Sequence, residues 1–198
     1  FYTMPEYYAN IERWPWEKKG PATGFDLGNY YRTLTRTLDM DTLIARTRAI
    51  MDIYDPEQKV DLVVDEWGAW HLPEPGTNPG FLFQQNTMRD AIVAAVNLNI
   101  FNTHSERVTM ANLAQMVNVI QSVVLTKGPE MVLTPTYHVF DLYKAHQDAT
   151  RIESHVQQDL VGTEETQVPA LHASASVDEE GRVHVTVANL CATQAQSI

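Results

Sequence analysis

The segment Val63-Val64-Asp65-Glu66-Trp67-Gly68 decides the fold, because an apolar run delivers a carboxylate and an indole to the point where the chain turns. Residues 59–64 are typical of a strand, Gly68 is expected to stop it, and a loop containing Pro and Gly begins at Leu72. Glu66 is therefore predicted at the carboxyl end of a buried strand. In a barrel of alternating parallel strands and helices, that end carries the active site.

The elements predicted ahead of residue 148 alternate between helices and strands. Apolar residues at helical spacing, together with cap and proline signals, predict helices over about 27–38, 43–54, 85–101, 113–125 and 135–144. Strands are predicted over 59–65 and 107–111, and the first residues resemble the end of another strand. This order is typical of (β/α) units and predicts an α/β fold, the later strands of a (β/α)8 TIM barrel.

The tail of the chain has a different pattern. Residues 173–177 and 182–187 alternate at period two around Asp178-Glu179-Glu180-Gly181, which predicts an antiparallel hairpin. We expect a partial catalytic barrel over residues 1–148 and the start of an antiparallel β-sandwich domain over 149–198. Both are expected to be incomplete, because a full barrel takes about 250 residues and a sandwich about 100.

Composition excludes several classes of function. The formal net charge of −11 over 198 residues disfavours binding to nucleic acid or to an anionic membrane surface. Cys191 is the only cysteine, so the chain has no internal disulfide and lacks the ligands of a zinc framework or a thiol mechanism. The sequence has no apolar run of membrane-spanning length. Since the chain starts at Phe1, we expect part of a longer protein, and its compartment, cytoplasmic or periplasmic or secreted, stays open.

Glu66 by itself is open to two interpretations. A retaining glycosidase needs two carboxylates about 5 to 5.5 Å apart, one of them to attack the anomeric carbon. Asp65 is not automatically the second, because successive strand residues point to opposite faces. Glu66 could equally form a structural salt bridge at the strand end. Trp67 could pack beneath the loop or border the site.

Motifs around and after Glu66 resemble those of one known family. They are Asp65-Glu66-Trp67-Gly68, Glu74-Pro75-Gly76-Thr77-Asn78-Pro79-Gly80-Phe81-Leu82 and Gln84-Gln85-Asn86-Thr87-Met88-Arg89-Asp90-Ala91, followed by matches over residues 99–102, 107–115, 117–121 and 133–140. In this order they resemble the family 51 glycoside hydrolases, the α-L-arabinofuranosidases. The resemblance is close from residue 1 to about 148 and looser in the tail. It implies the sixth to eighth barrel strands.

The resemblance implies a set of site residues. Glu66, at the end of the seventh strand, matches the family's nucleophile, and Tyr2 matches a tyrosine beside that nucleophile. Trp70 matches an aromatic residue of the sugar pocket, and Gln115 matches a glutamine that hydrogen-bonds bound arabinose. A tyrosine hydroxyl can orient a carboxylate, an indole face can pack on sugar C–H groups, and an amide can both donate to and accept from hydroxyls.

Each of the three binding residues has a structural alternative. Tyr2 could be a core aromatic at a strand end. Trp70 could cap the barrel mouth. Gln115 could make a polar bond at the start of the predicted helix over 113–125. Only the family motifs favour a functional role for these three residues.

The resemblance implies an exo-acting retaining hydrolase that removes terminal α-L-arabinofuranosyl residues from polysaccharides or oligosaccharides. It implies no cofactor, and the spacing of His, Asp and Glu around Glu66 predicts no metal site. The family's acid/base glutamate follows an asparagine, and this sequence contains no Asn-Glu dipeptide. We therefore expect the general acid in a missing amino-terminal part of the barrel, and an isolated chain that is inactive or nearly so.

Partners and alternatives follow from the same resemblance. The expected partners are an arabinofuranoside and the missing amino-terminal part of the barrel, and hexameric relatives imply a homo-oligomer. One alternative is another retaining barrel glycosidase that acts on glucans or xylans. The other is a non-catalytic fragment or subunit that completes its fold only with its missing half.

Overall fold

A parallel sheet lies at the centre of the structure, a computed structural model that describes residues 19–198 in full and only the backbone of residues 2–4 and 7–9. Its strands are β1 (Tyr2–Met4), β2 (Tyr7–Ala9), β3 (Leu62–Ala69) and β4 (Val108–Leu113). β1 and β2 pair with successive parts of β3, and β4 pairs with its other edge, all in parallel. The carboxyl ends of all four strands therefore point the same way.

In the part of the chain that the structure describes, three α-helices accompany the sheet: α1 (Leu27–Tyr54), α2 (Met88–Thr103) and α3 (Pro135–Tyr143). The prediction of two helices before β3 is wrong, because α1 runs through as one helix. Residues 39–42 contain neither Gly nor Pro, and Met40 is buried in the core, so nothing interrupts the helix. Its predicted end at Asp55 is confirmed. Among the described residues, no helix is both long and apolar enough to cross a membrane.

The predicted helix over residues 113–125 is also wrong. β4 extends to Leu113, and an irregular loop leads to a hairpin of β5 (Val124–Lys127) and β6 (Glu130–Leu133). Asn118 and Ile120 have φ angles of 60° and 53°, a left-handed conformation that a right-handed helix does not contain. The helical spacing of apolar residues in this stretch was coincidental.

The tail contains five strands. They are β7 (Thr150–Ile152), β8 (Leu160–Gly162), β9 (Gln167–Pro169), β10 (Leu171–Val177) and β11 (Val183–Asn189). The predicted hairpin is confirmed, since β10 and β11 pair antiparallel from Leu171 with Asn189 to Val177 with Val183. β7 pairs with the other edge of β10, and β8 and β9 form a separate antiparallel pair. The mixture of a parallel sheet, helices and antiparallel strands confirms an α/β fold. The partial barrel, the partial sandwich and the boundary at 148 stay predictions.

One hydrophobic core joins the sheet, the helices and the tail. Its fully buried members include Leu34 and Ile44 of α1, Leu62, Val64 and Trp67 of β3, Val93 and Val96 of α2, and Leu190 after β11. The ring of Trp67 meets Phe101 edge-on at a centroid distance of 5.2 Å and stacks on Phe140 at 6.2 Å. Trp67 is therefore a core residue that anchors β3 between α2 and α3.

Candidate active site

Glu66 lies in a β-bulge of the central strand. Val64 pairs with Ala111 and Trp67 with Leu113, so β3 carries one more residue than β4 between these two pairs. Bulges of this kind redirect side chains and are frequent beside active sites. Glu66 is partly exposed and Asp65 exposed, whereas Val64 and Trp67 are fully buried. The bulge thus interrupts strict alternation and presents the carboxylate of Glu66 at the surface.

Gly68 does not end the strand, as the sequence predicted, because β3 continues to Ala69. A Cβ atom on Gly68 would lie 3.2 Å from the carbonyl oxygen of Ala114 and 3.4 Å from Oε1 of Gln121. Its φ of 148° is also a conformation that other residues rarely adopt. Glycine is therefore needed here for the close approach of the loop that follows β4.

Trp70 follows β3 directly and is partly exposed. It packs with Leu82 and Val119 on the buried pair Ala114 and Ile120. Nζ of Lys19 lies 3.3 Å from the ring centroid, a cation–π contact, and burial lowers the pKa of that ammonium. Lys19 therefore covers one face of the indole.

Gln115 lies on the loop that follows β4. The backbone N–H of the preceding Ala114 donates to the carbonyl of Trp67 (2.9 Å), which fixes this loop against the end of β3. The peptide bond between Ala114 and Gln115 is cis. Gln115 is exposed, and its amide makes no hydrogen bond with the described residues. Glu66, Trp70 and Gln115 therefore all lie at the carboxyl end of the parallel sheet.

Tyr2 is the fourth predicted site residue, and its side chain lies outside the described residues. Its backbone in β1 is level with Leu62, four residues ahead of Glu66, whereas Tyr7 of β2 is level with Trp67. The predicted contact between Tyr2 and Glu66 therefore stays a prediction. In the described part of the chain, no three His, Cys, Asp or Glu residues are grouped so that they could hold a metal ion.

Two buried glutamines that the sequence did not single out lie beneath the carboxyl end of the sheet. Gln121 accepts a hydrogen bond from the N–H of Ala69 (2.8 Å) and donates to the carbonyl of Asp90 (2.7 Å). Gln84 accepts from the N–H of His71 (2.8 Å) and donates to the carbonyl of Ala69 (3.0 Å). Both glutamines belong to family matches given above, Gln84 to residues 84–91 and Gln121 to residues 117–121, and this was the available signal. The wrong helix prediction over residues 113–125 also obscured Gln121.

A buried charged group lies behind the glutamines. Nε2 of His71 is 3.0 Å from both Asp90 Oδ1 and Arg89 Nη2. Burial lowers the pKa of His71, so the imidazole is neutral. Burial alone would raise the pKa of Asp90, but the hydrogen bond with His71 and the charge of Arg89 hold it below its usual value. Nε2–H therefore donates to Asp90, and Arg89 donates to the carbonyl of Pro21 (2.8 Å) and to Asn29.

Comparisons with known proteins agree with the family motifs. A family model described as the α-L-arabinofuranosidase C-terminal domain matches residues 65–197. An intracellular exo-α-L-arabinofuranosidase of Bacteroides ovatus is 43% identical over 97% of the chain. The chain spans 37% of the length of that relative.

Solved structures give the same result. The crystal structure of the family 51 arabinofuranosidase from Xanthomonas axonopodis pv. citri has a TM-score of 0.90 and 54% identity, over 95% of this chain and 38% of its own. The α-L-arabinofuranosidase of Thermotoga maritima, solved as an arabinose complex, has a TM-score of 0.59 and 26% identity, over 82% of this chain and 34% of its own. The chain therefore belongs to the family 51 glycoside hydrolases, the α-L-arabinofuranosidases, and corresponds to their carboxyl-terminal portion.

Proposed function

We propose that the chain supplies the nucleophile side of a retaining α-L-arabinofuranosidase and that Glu66 is the nucleophile. The observation that carries the proposal is the partly exposed carboxylate of Glu66 in a bulge near the carboxyl end of the central parallel strand, at the point where the family match begins. The substrate class, terminal α-L-arabinofuranosides, comes from the names of the relatives.

The proposed fold is the later part of a (β/α)8 barrel over residues 1–148, followed by part of a β-sandwich over 149–198. The order β2, α1, β3, α2, β4 with parallel strands consists of two (β/α) crossovers, which supports the barrel. Within the described residues β4 pairs only with β3, so its outer edge is free for the next strand. The exposed side chain of Met110 on β4 supports the same proposal.

The chemistry proceeds in two steps. The carboxylate of Glu66 attacks the anomeric carbon, the glycosidic C–O bond breaks, and a carboxylic acid on an earlier strand gives its proton to the leaving oxygen. Water then attacks the resulting glycosyl-enzyme ester, the same acid group now takes a proton, and arabinose leaves with its original anomeric configuration. We assign the acid/base group to a part of the barrel ahead of this chain. Since general acid catalysis contributes about 10² to 10⁴-fold, the isolated chain should have little activity.

The other predicted residues act on binding. Trp70 provides an apolar face at the carboxyl end of the sheet, near Glu66 in the sequence, and Gln115 presents an exposed amide at the same end. Tyr2 is assigned to orient Glu66 by a hydrogen bond to its carboxylate. These roles rest on the family motifs and on the position of the residues at the carboxyl end of the sheet.

The experiment compares this chain alone with the chain mixed with the amino-terminal portion of the Xanthomonas arabinofuranosidase, on an aryl α-L-arabinofuranoside. We expect activity only in the mixture. Glu66→Gln should lower kcat by about 10⁴-fold or more, whereas the neighbouring Asp65→Asn should keep kcat within about tenfold of the unsubstituted chain. Turnover that survives Glu66→Gln would contradict the assignment of the nucleophile.

Two further measurements separate the remaining alternatives. NMR of the first-formed product should show retention of the anomeric configuration, and inversion would exclude the covalent intermediate. Aryl β-glucosides and β-xylosides should be much poorer substrates than the arabinofuranoside, and the opposite ranking would favour a glucanase or xylanase. No activity in any mixture would favour a non-catalytic chain.

A further inference from the structure

The backbone on either side of Trp70 is bonded by side chains where a neighbouring strand has ended. The last pair between β3 and β4 joins Trp67 to Leu113. Beyond it, the N–H and carbonyl of Ala69 and the N–H of His71 are bonded by Gln121 and Gln84 instead of by strand backbone. Alternate residues of a strand direct their backbone groups to the same edge. The amides of Gln84 and Gln121 therefore bond the same side of the chain that β4 bonds up to Trp67, beyond the point where β4 ends.

We infer that Gln84 and Gln121 are positioning residues that hold Trp70 in place for sugar binding. The inference rests on the proposed function and adds two residues that do not touch the substrate. Ala69 and His71 flank Trp70, so fixing their backbone groups fixes the direction in which the indole leaves the chain. A binding residue whose backbone is held on both sides loses less conformational entropy when the sugar binds.

Amide side chains suit this task because each has both a donor and an acceptor. Gln121 uses Oε1 for the N–H of Ala69, and its Nε2 reaches Asp90 and Oγ1 of Thr136 (3.2 Å). Gln84 uses both of its polar atoms on Ala69 and His71. Both glutamines are at most 1% exposed. Their bonds are therefore shielded from water, and removing one partner leaves buried groups unsatisfied.

The same bonds connect Trp70 to the amino end of α2. Asp90 closes a capping box on α2, accepting from the N–H (2.7 Å) and hydroxyl (2.9 Å) of Thr87. Its carbonyl receives Gln121, and its carboxylate lies 3.0 Å from His71. The segment that carries Trp70 is thus fixed to a helix in the core and not only to other loops.

The test uses Gln84→Met, which keeps the length of the side chain and removes both polar atoms. In the active mixture described above, we expect KM for the aryl arabinofuranoside to rise about tenfold while kcat stays within about threefold, the pattern of binding lost equally from the ground state and the transition state. Gln85→Met is the matched control, because Gln85 is exposed and its amide bonds only the adjacent carbonyl of Asn86. Its KM should not change.

A spectroscopic readout does not depend on turnover. With 5-fluorotryptophan incorporated into the same mixture and the signal assigned by Trp70→Phe, Gln84→Met should shift or broaden the ¹⁹F signal of Trp70. The signal of Trp67, which lies in the core, should stay where it is. A Trp70 signal and a KM that are both unchanged would overturn the inference.

Gln84→Glu provides a second variant with a pH signature. Its carboxyl keeps an acceptor for the N–H of His71, but when ionised it cannot donate to the carbonyl of Ala69. Protonation restores that donor, so KM of Gln84→Glu should approach the unsubstituted value as pH falls, and a parallel pH dependence in both proteins would count against the inference. If Glu66→Gln leaves turnover intact, the proposed function fails, while the ¹⁹F result still decides the role of the glutamines.

Discussion

The amino end of β3 is hydrogen-bonded to the backbone of Arg107, whose side chain forms an ion pair with Asp55, whereas two neutral amides bond the backbone near the carboxyl end. At the amino end, Nη1 of the buried Arg107 lies 3.0 Å from Oδ2 of Asp55, and the N–H of Leu62 donates to the carbonyl of Arg107 (2.7 Å). None of the guanidinium nitrogens of Arg107 makes an aligned hydrogen bond with the described residues. At the carboxyl end, Gln84 and Gln121 make aligned bonds of 2.7 to 3.0 Å.

The difference follows from what each end has to do. An ion pair acts over a range of angles, so the pair of Arg107 and Asp55 holds the residue before β4 against the end of α1 without fixing the direction of a particular side chain. Aligned amide bonds are directional and carry no charge. They can orient Trp70 without placing a net charge next to the carboxylate proposed to attack the substrate. The charged residues Arg89 and Asp90 lie one layer further away and have opposite signs.

The largest effect is expected where the two ends share the core. Trp67→Ala should lower the free energy of unfolding by about 3–5 kcal/mol, because it removes a fully buried indole from between Phe101 and Phe140. Urea unfolding followed by circular dichroism measures the change. Trp70→Ala is the control. A loss of stability as large as that of Trp67→Ala would contradict the partly exposed position of Trp70 outside the core.

A smaller effect is expected at the carboxyl end. Gln121→Leu should lower the free energy of unfolding by about 1–3 kcal/mol, because the N–H of Ala69 and the carbonyl of Asp90 lose their buried partner. Gln85→Leu at an exposed position should change it by less than about 0.5 kcal/mol. Equal unfolding midpoints for the two variants would show that the amide bonds of Gln121 contribute nothing to stability.

The stability of the fold should depend on pH through Asp55, the ion-pair partner of Arg107. The N–H of Val60 bonds the carboxylate of Asp55 (2.8 Å) and, with Lys59 and Arg107, lowers its pKa below the usual 3.8. A pKa that is lower in the folded state stabilises the fold above the unfolded value, and this stabilisation is lost as pH falls through the folded value. The stability advantage over Asp55→Asn, read from urea midpoints, should be constant from pH 7 to about pH 5 and shrink below about pH 4. An advantage that grows at low pH would contradict this sign.

The smallest effect is expected at the indole face of Trp70. Lys19→Met should change the free energy of unfolding by at most about 1 kcal/mol, because the cation–π contact involves a partly exposed ammonium. The same substitution should nevertheless shift the ¹⁹F signal of a fluorinated Trp70. An unchanged signal would show that the lysine does not lie on the ring in solution.

Local patterns of apolar residues predicted several of the elements. The helices α2 and α3 and the hairpin of β10 and β11 appear close to their predicted bounds. The pattern failed over residues 113–125, where Gln121 and Ser122 are buried by bonds to distant parts of the chain. Apolar spacing contains no information about such bonds. It also could not show that Gly68 serves a close approach to the following loop and does not end the strand.

The sequence by itself determined the family, through ordered motifs, and the placement of Glu66 near the end of a buried strand, through the apolar run that precedes it. Only the tertiary structure decided that Glu66 lies in a bulge and that Trp67 is a core residue while Trp70 is partly exposed. It alone also showed that Gln84 and Gln121 hold the backbone around Trp70. The physical reason is range. Side-chain periodicity reports which face of one element is buried, whereas the bonds of Ala69 join residues 15 and 52 positions away and exist only after the loops have packed.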